Sequence, residues 1–136
     1  MFKNHARNQE LRQLLASGGS LEGVDFGHAD LAKADFRGKL CAGLDFSRAN
    51  LSEADFTGAD LRGARMTDTS MVGTVFAHAN LAGADLSGSI LTAADFRDAT
   101  MTGAKVLHAV WDQNTFWPEG YVPFQGHPRM FGAAQD

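Results

Sequence analysis

The sequence predicts an all-β solenoid of four-sided coils, with a short capping helix at one end and an irregular aromatic tail at the other. Three observations carry this expectation. An apolar residue recurs at every fifth position from Leu21 to Trp111, with no insertion or deletion. A small residue stands two places before it and glycine often stands two places after it. The large apolar residues nearly alternate between Phe and other types, which sets the number of sides per coil.

The five-residue step excludes a helix. At about 100° per residue it would turn the apolar position by roughly 140° and leave no continuous stripe. On an extended segment, residues two apart point to the same side. The small residue, Ala in 12 of the 19 units, therefore faces inward with the large centre, and the residue between them, Asp or Asn in 10 of 19, faces water. Gly, present nine times two places after the centre, suits a tight corner. Each unit is thus one short side and one corner, as in Ala54-Asp55-Phe56-Thr57-Gly58.

Phe26, Phe36, Phe46 and Phe56 are separated by Leu31, Cys41 and Leu51, an alternation of ten residues. It stays in register only if a coil has an even number of sides, and two sides leave no bore. Four sides stack residues 20 apart, so Phe36, Phe56, Phe76 and Phe96 form one column and Phe26, Phe46, Met66, Leu86 and Val106 the opposite one. Nineteen units then make about 4.75 coils, a rod roughly 20–25 Å long at about 4.8 Å per coil.

Before the repeats, Leu11, Leu14 and Leu15 have helical spacing, and Gly18-Gly19 stops the helix. A helix over about residues 8–17 would lay its leucines on the first coil, since an open solenoid end must be covered. After Trp111 the period ends. All three prolines lie beyond it, with Phe116, Trp117, Tyr121, Phe124 and Phe131. The domain reading is residues 1–18 as the N-terminal segment, 19–113 as the repeat and 114–136 as a capping tail.

The unit A(D/N)(L/F)xG, held over 95 of 136 residues, resembles the pentapeptide-repeat family. That resemblance implies a right-handed quadrilateral β-helix, and it supplies the handedness. It also implies one function class, since some members protect or inhibit DNA gyrase with an acidic rod that stands in for duplex DNA. The ending Asp112-Gln-Asn-Thr-Phe-Trp-Pro-Glu-Gly-Tyr121 is similar to that of some members. Lys39-Leu40-Cys41 departs from the pattern, with a cation where Ala belongs. A local distortion with the ammonium turned outward is expected there.

Composition narrows the function. The net charge of −4 argues against direct nucleic-acid binding. No apolar run reaches the roughly 18 residues of a membrane span, and the first residues lack the apolar core of a secretion signal, so a cytoplasmic protein is expected. Cys41 is the only cysteine and sits at an inward centre, where it reads as core. The regular Asp residues read as structural, holding local backbone groups. The histidines are scattered without ligand spacing. No catalytic, metal or cofactor site is expected, and the chain reads as a non-enzymatic protein-binding or scaffold module with an unidentified partner. Its candidate partner or dimer surface is Val72, Val75, Ile90 and Val110 with Phe116, Trp117, Tyr121 and Phe124 of the tail, through which a homodimer could form. The aromatic tail folding back over the valines is the alternative use of that patch. The candidate DNA-like wall, for a regulator of gyrase, is Asp35, Asp55 and Asp95 on repeats carrying net −5.

Overall fold

The structure, a computed structural model, describes residues 2–123 and 129–131. Parallel bridges link residues 20 apart in four series, which are the four walls of the coil. The first wall runs Asp25, Asp45, Arg65, Asp85, Lys105, and the second Asp30, Asn50, Ser70, Ile90, Val110. The third runs Asp35, Asp55, Val75, Asp95, Phe116, and the fourth Leu40, Asp60, Asn80, Thr100. Each side is too short to be more than a single-residue bridge. Regular strands occur only at β1, Val110–Asp112, and β2, Arg129–Phe131, among the described residues.

The unit repeats because five residues satisfy nearly every backbone amide. Around Phe56, the centre's N–H donates to Val75 O (2.7 Å) and the Gly58 N–H to Ala77 O (2.9 Å), both on the next coil. The Asp55 N–H donates back to Ala34 O on the previous coil (3.0 Å). The Ala59 N–H closes the corner on Phe56 O (2.9 Å). The fifth amide, of Thr57, donates to the Asp55 carboxylate at 2.9 Å. The same side-chain bond recurs from Asp25, Asp35, Asp45, Asp85 and Asp95 and from Asn50 and Asn80. The recurrent carboxylates are therefore structural, as their regularity predicts.

Every corner from Gly23 to His108 has positive φ at its second turn residue, the signature of a type II turn. Half of these positions are not glycine; Glu53 (φ 60°), Ala93 (φ 60°) and Asp98 (φ 63°) are examples. Packing enforces left-handed backbone there at a cost of about 1–2 kcal/mol each.

The bore is dry. Cys41 and every Phe, Leu and Met centre from Phe26 to Phe96 are fully buried. Phe36, Phe56, Phe76 and Phe96 stack face to face at 4.5, 5.3 and 4.8 Å, and Phe26 stacks on Phe46 at 5.0 Å. Where the small position is Thr or Ser, its hydroxyl finds a carbonyl: Thr74 Oγ1 donates to Leu51 O (2.7 Å) and Ser89 Oγ to Met66 O (2.6 Å). Lys39 does not distort the ladder. Its carbonyl still accepts from the Asp60 N–H (2.9 Å), while its ammonium turns out to donate to Leu15 O at 3.3 Å, near the end of the helix.

The helix α1 spans Phe2–Ser17, six residues longer than the leucine spacing predicts. Leu11 and Leu15 are buried on the coil, as expected. Polar groups along the helix fasten it as well. Arg7 donates to Asp25 O, Arg12 to Asp30 O and Ala32 O (both 3.1 Å), and Asn8 Oδ1 accepts from the Asp30 N–H (3.0 Å). These side chains satisfy the open edge of the first and second walls.

At the other end the five-residue step breaks but the stack continues. The last bridge on the third wall, Asp95 to Phe116, spans 21 residues, so one residue is inserted after Trp111. Thr115 then takes the small inward position, its hydroxyl donating to Leu91 O (2.8 Å), and Trp117 stacks on Phe96 at 5.0 Å. Tyr121 stacks on Trp117 at 5.3 Å, and β2 pairs in parallel with β1, Trp111 against Met130.

The corners generate a test. A Cβ at Gly83 meets nothing closer than 4.0 Å, so Gly83→Ala bears the conformational cost alone. It is expected to lose about 1 kcal/mol. Ala93→Gly should gain up to about 1 kcal/mol, since relief of left-handed backbone exceeds glycine's added chain entropy. Thermal melts of the two variants should move in opposite directions.

Candidate functional site

The bore is closed to solvent, so the accessible side chains lie on the walls and at the ends. Cys41 is fully buried, and burial pushes its thiol up to about 12, the opposite of an activated nucleophile. Among the described residues no group of three or more His, Cys, Asp or Glu converges to hold a metal, and no helix is long and apolar enough to cross a membrane. The one histidine–carboxylate approach within 4 Å among them is His78 to Asp98, at 3.9 Å and solvent-exposed.

Asp35, Asp55 and Asp95 do share the third wall, but they do not form an open acidic face. Arg37 grips Asp35 with two hydrogen bonds of 2.9 Å, and Arg97 grips Asp95 at 3.0 and 2.8 Å. Asp60 and Arg62 repeat the arrangement on the fourth wall at 2.9 and 2.7 Å. The pairing follows from extended backbone, which puts residues two apart on one side, so D-x-R at 35–37, 60–62 and 95–97 was a readable signal. The Arg37 hydrogen bonds hold the Asp35 carboxyl at about 2, and the Arg97 hydrogen bond holds Asp95 below its usual range. Asp55 instead accepts from the Thr57 amide and hydroxyl, at 2.9 and 2.5 Å.

The apolar candidates divide between two walls. Val72 (39% exposed) and Ile90 (43% exposed) lie on the second wall below half-buried Val110. Val75 belongs to the third wall, between Asp55 and Asp95. β2 extends the edge of the second wall beside Val110. Phe116 is exposed, with the Arg97 guanidinium 4.7 Å from its ring centre. Trp117 and Tyr121 are partly buried on the aromatic column. Phe124 lies outside the described residues.

A family model described as "Pentapeptide repeats" matches the chain over residues 41–68 and 69–106, in eight copies. No curated protein matches it. Among solved structures, a pentapeptide repeat protein from the thylakoid lumen of Arabidopsis thaliana is 36% identical, with a TM-score of 0.56 over 57% of this chain and 53% of that one. Rfr23 from the cyanobacterium Cyanothece 51142 is 24% identical, with a TM-score of 0.65 over 66% of this chain and 61% of that one. Full-length QnrB1, a plasmid-mediated fluoroquinolone resistance protein, is 25% identical, with a TM-score of 0.54 over 65% of this chain and 60% of that one. The chain thus spans between half and two thirds of the length of each of these relatives.

The carboxylates predict the acid limit of stability. Asp35, Asp45, Asp60 and Asp95 are all held below the ordinary value by bonds made only when folded. Their contribution is complete above the unfolded value of about 4 and is lost as pH falls toward about 2. The melting temperature should be flat from pH 7 to about 5 and fall below about 4. Arg37→Ala together with Arg97→Ala should reduce that fall.

Proposed function

The chain belongs to the pentapeptide-repeat family, and from that premise we propose that it is a non-enzymatic protein-binding module, a short rod whose outer faces engage a protein partner. The observation that carries the reading is at Ile90. Its position normally supplies the side-chain acceptor for the fifth amide of the unit. The Ile90 side chain can accept nothing, the Thr92 N–H has no hydrogen-bond partner among the described residues, and the Ile90 side chain is 43% exposed beside Val72. A residue that forfeits a hydrogen bond and shows apolar surface to water is not selected for stability. A contact with another protein accounts for it. Phe116, exposed at the C-terminal end, is a second contact point and suits a homodimer through that end.

The alternative, an acidic wall that regulates DNA gyrase in place of duplex DNA, draws on the likeness to QnrB1. It has less physical support. Two of its three carboxylates are already bound by arginines, so the third wall offers Asp55 alone as an unpaired charge among its aspartates.

Two experiments test these readings. Ile90→Asp restores an acceptor for Thr92, so it should hold or raise stability by about 0.5–1 kcal/mol while weakening capture of the partner recovered with the parent protein. Undiminished capture by a folded Ile90→Asp, Phe116→Ala double variant would remove the main support. In a gyrase supercoiling assay the parent protein is expected to have no effect. Inhibition that Asp35→Lys, Asp55→Lys and Asp95→Lys abolish would establish the DNA-like wall instead.

A further inference from the structure

The N-terminal edge of the rod is covered unevenly. Arg7, Asn8 and Arg12 satisfy backbone groups of the first and second walls. On the fourth wall, the Leu40 N–H, the Leu40 carbonyl and the Ala42 carbonyl have no partner among the described residues. These are the three groups by which each later side of that wall bonds to the side before it. Leu40 is 77% exposed, the most of any large apolar residue among those described.

A rung should lie there. Residues 19–23 form a complete unit: the Val24 N–H closes the corner on Leu21 O (3.0 Å), the Glu22 N–H donates to Ser20 Oγ (3.2 Å), Gly23 has φ 74° and Leu21 is buried. Yet the bridges begin at Asp25–Asp45, and no pairing joins Ser20 to Leu40. In its place is a cleft of about 610 Å³ between the 18–23 and 38–44 segments. A second cleft of about 460 Å³, sharing Lys39, adjoins it and is lined by Arg12, Lys33 and Asp35.

The charge around the clefts is distinctive in a chain of net −4. Arg12 and Lys39 bond only to neutral carbonyls, and Lys33 has no side-chain partner among the described residues. Glu22 lines the first cleft, while Asp35, the carboxylate of the second, is taken by Arg37. Arg12, Lys33 and Lys39, the last shared by both clefts, therefore line the second cleft without a carboxylate of their own.

We propose that the cleft binds an acidic peptide segment in extended conformation, added as a parallel strand to the edge at Leu40 and Ala42. This rests on the protein-binding reading and gives one partner its chemistry. The peptide's backbone supplies the missing rung, bonding the same three groups that the later sides bond. The direction is parallel because every bridge in the stack is parallel. Carboxylates of the peptide face Lys33, Lys39 and Arg12, which supplies the selectivity. The exposed Leu40 side chain lies beside the outward residue of the added strand.

The test uses the intact protein and three labelled hexapeptides: Asp-Glu-Val-Thr-Val-Thr, its Lys-Lys-Val-Thr-Val-Thr counterpart, and the acidic peptide with alternate amides N-methylated. Fluorescence anisotropy should show the acidic peptide binding at least about tenfold more tightly than either other form. Its addition should move the Leu40 and Gly43 amide resonances. Lys33→Glu, at an exposed corner, should cut that affinity about tenfold with no change in melting temperature. Equal binding of the acidic and basic peptides, or no binding of any, would overturn the assignment. So would slow exchange of the Leu21 and Gly23 amides in the free protein, since residues 19–23 would then occupy the rung themselves. None of these failures touches the protein-binding reading, which is tested at Ile90 and Phe116 on other walls.

Discussion

The hydrogen-bond accounting of the pentapeptide governs the rest of the molecule. Four of its five amides can be satisfied by backbone: two by the next coil, one by the previous coil and one across the corner. The fifth has no backbone partner, and the side chain one place before the centre supplies it, as Asp55 does for Thr57. This explains why the chain can spend so many aspartates without building an active site. It also explains why the residues that break the rule, Leu40 and Ile90 above all, stand out against a regular background. In a solenoid each unit resembles its neighbours in backbone, so individuality can reside only in outward side chains and at the two ends.

Much of this was legible in the sequence because the repeat carries no insertion between Leu21 and Trp111. A period of five with small inward residues leaves few physical solutions, and the Phe alternation reduces them to four sides. The Phe36 to Phe96 column appears where that argument puts it. What escaped was of another kind. Nothing local in the sequence says that Arg7 and Arg12 meet backbone carbonyls, and Asn8 a backbone amide, of a coil 18–22 residues away. Trp117 was hidden by the single inserted residue, which takes it off the five-residue register while leaving it on the stack.

The surface was legible in part. The apolar exceptions at Val75, Ile90 and Val110 are visible as letters, but their grouping depends on which wall each joins, and Val75 goes to a different wall from the other two. The three aspartates of the third wall do align as read, yet alignment alone misstates the field they make. Arg37 and Arg97 lie two residues on, and extended geometry turns each into a fork around its carboxylate. A tally of charges along a wall therefore overstates its acidity, and local pairing decides what a partner meets.

The two caps also fix an angle. The helix fastens to the first and second walls through Asp25, Asp30 and Ala32, and β2 fastens to the second wall at β1. Both ends are thus clocked against the same four-sided shaft. Adding or deleting one pentapeptide between them would rotate one end by a quarter turn relative to the other, whereas a change of four pentapeptides would alter only the length. Repeat number in such a protein is thereby also a setting of direction, and partners held at the two ends are presented to each other at a bearing counted in units of five residues.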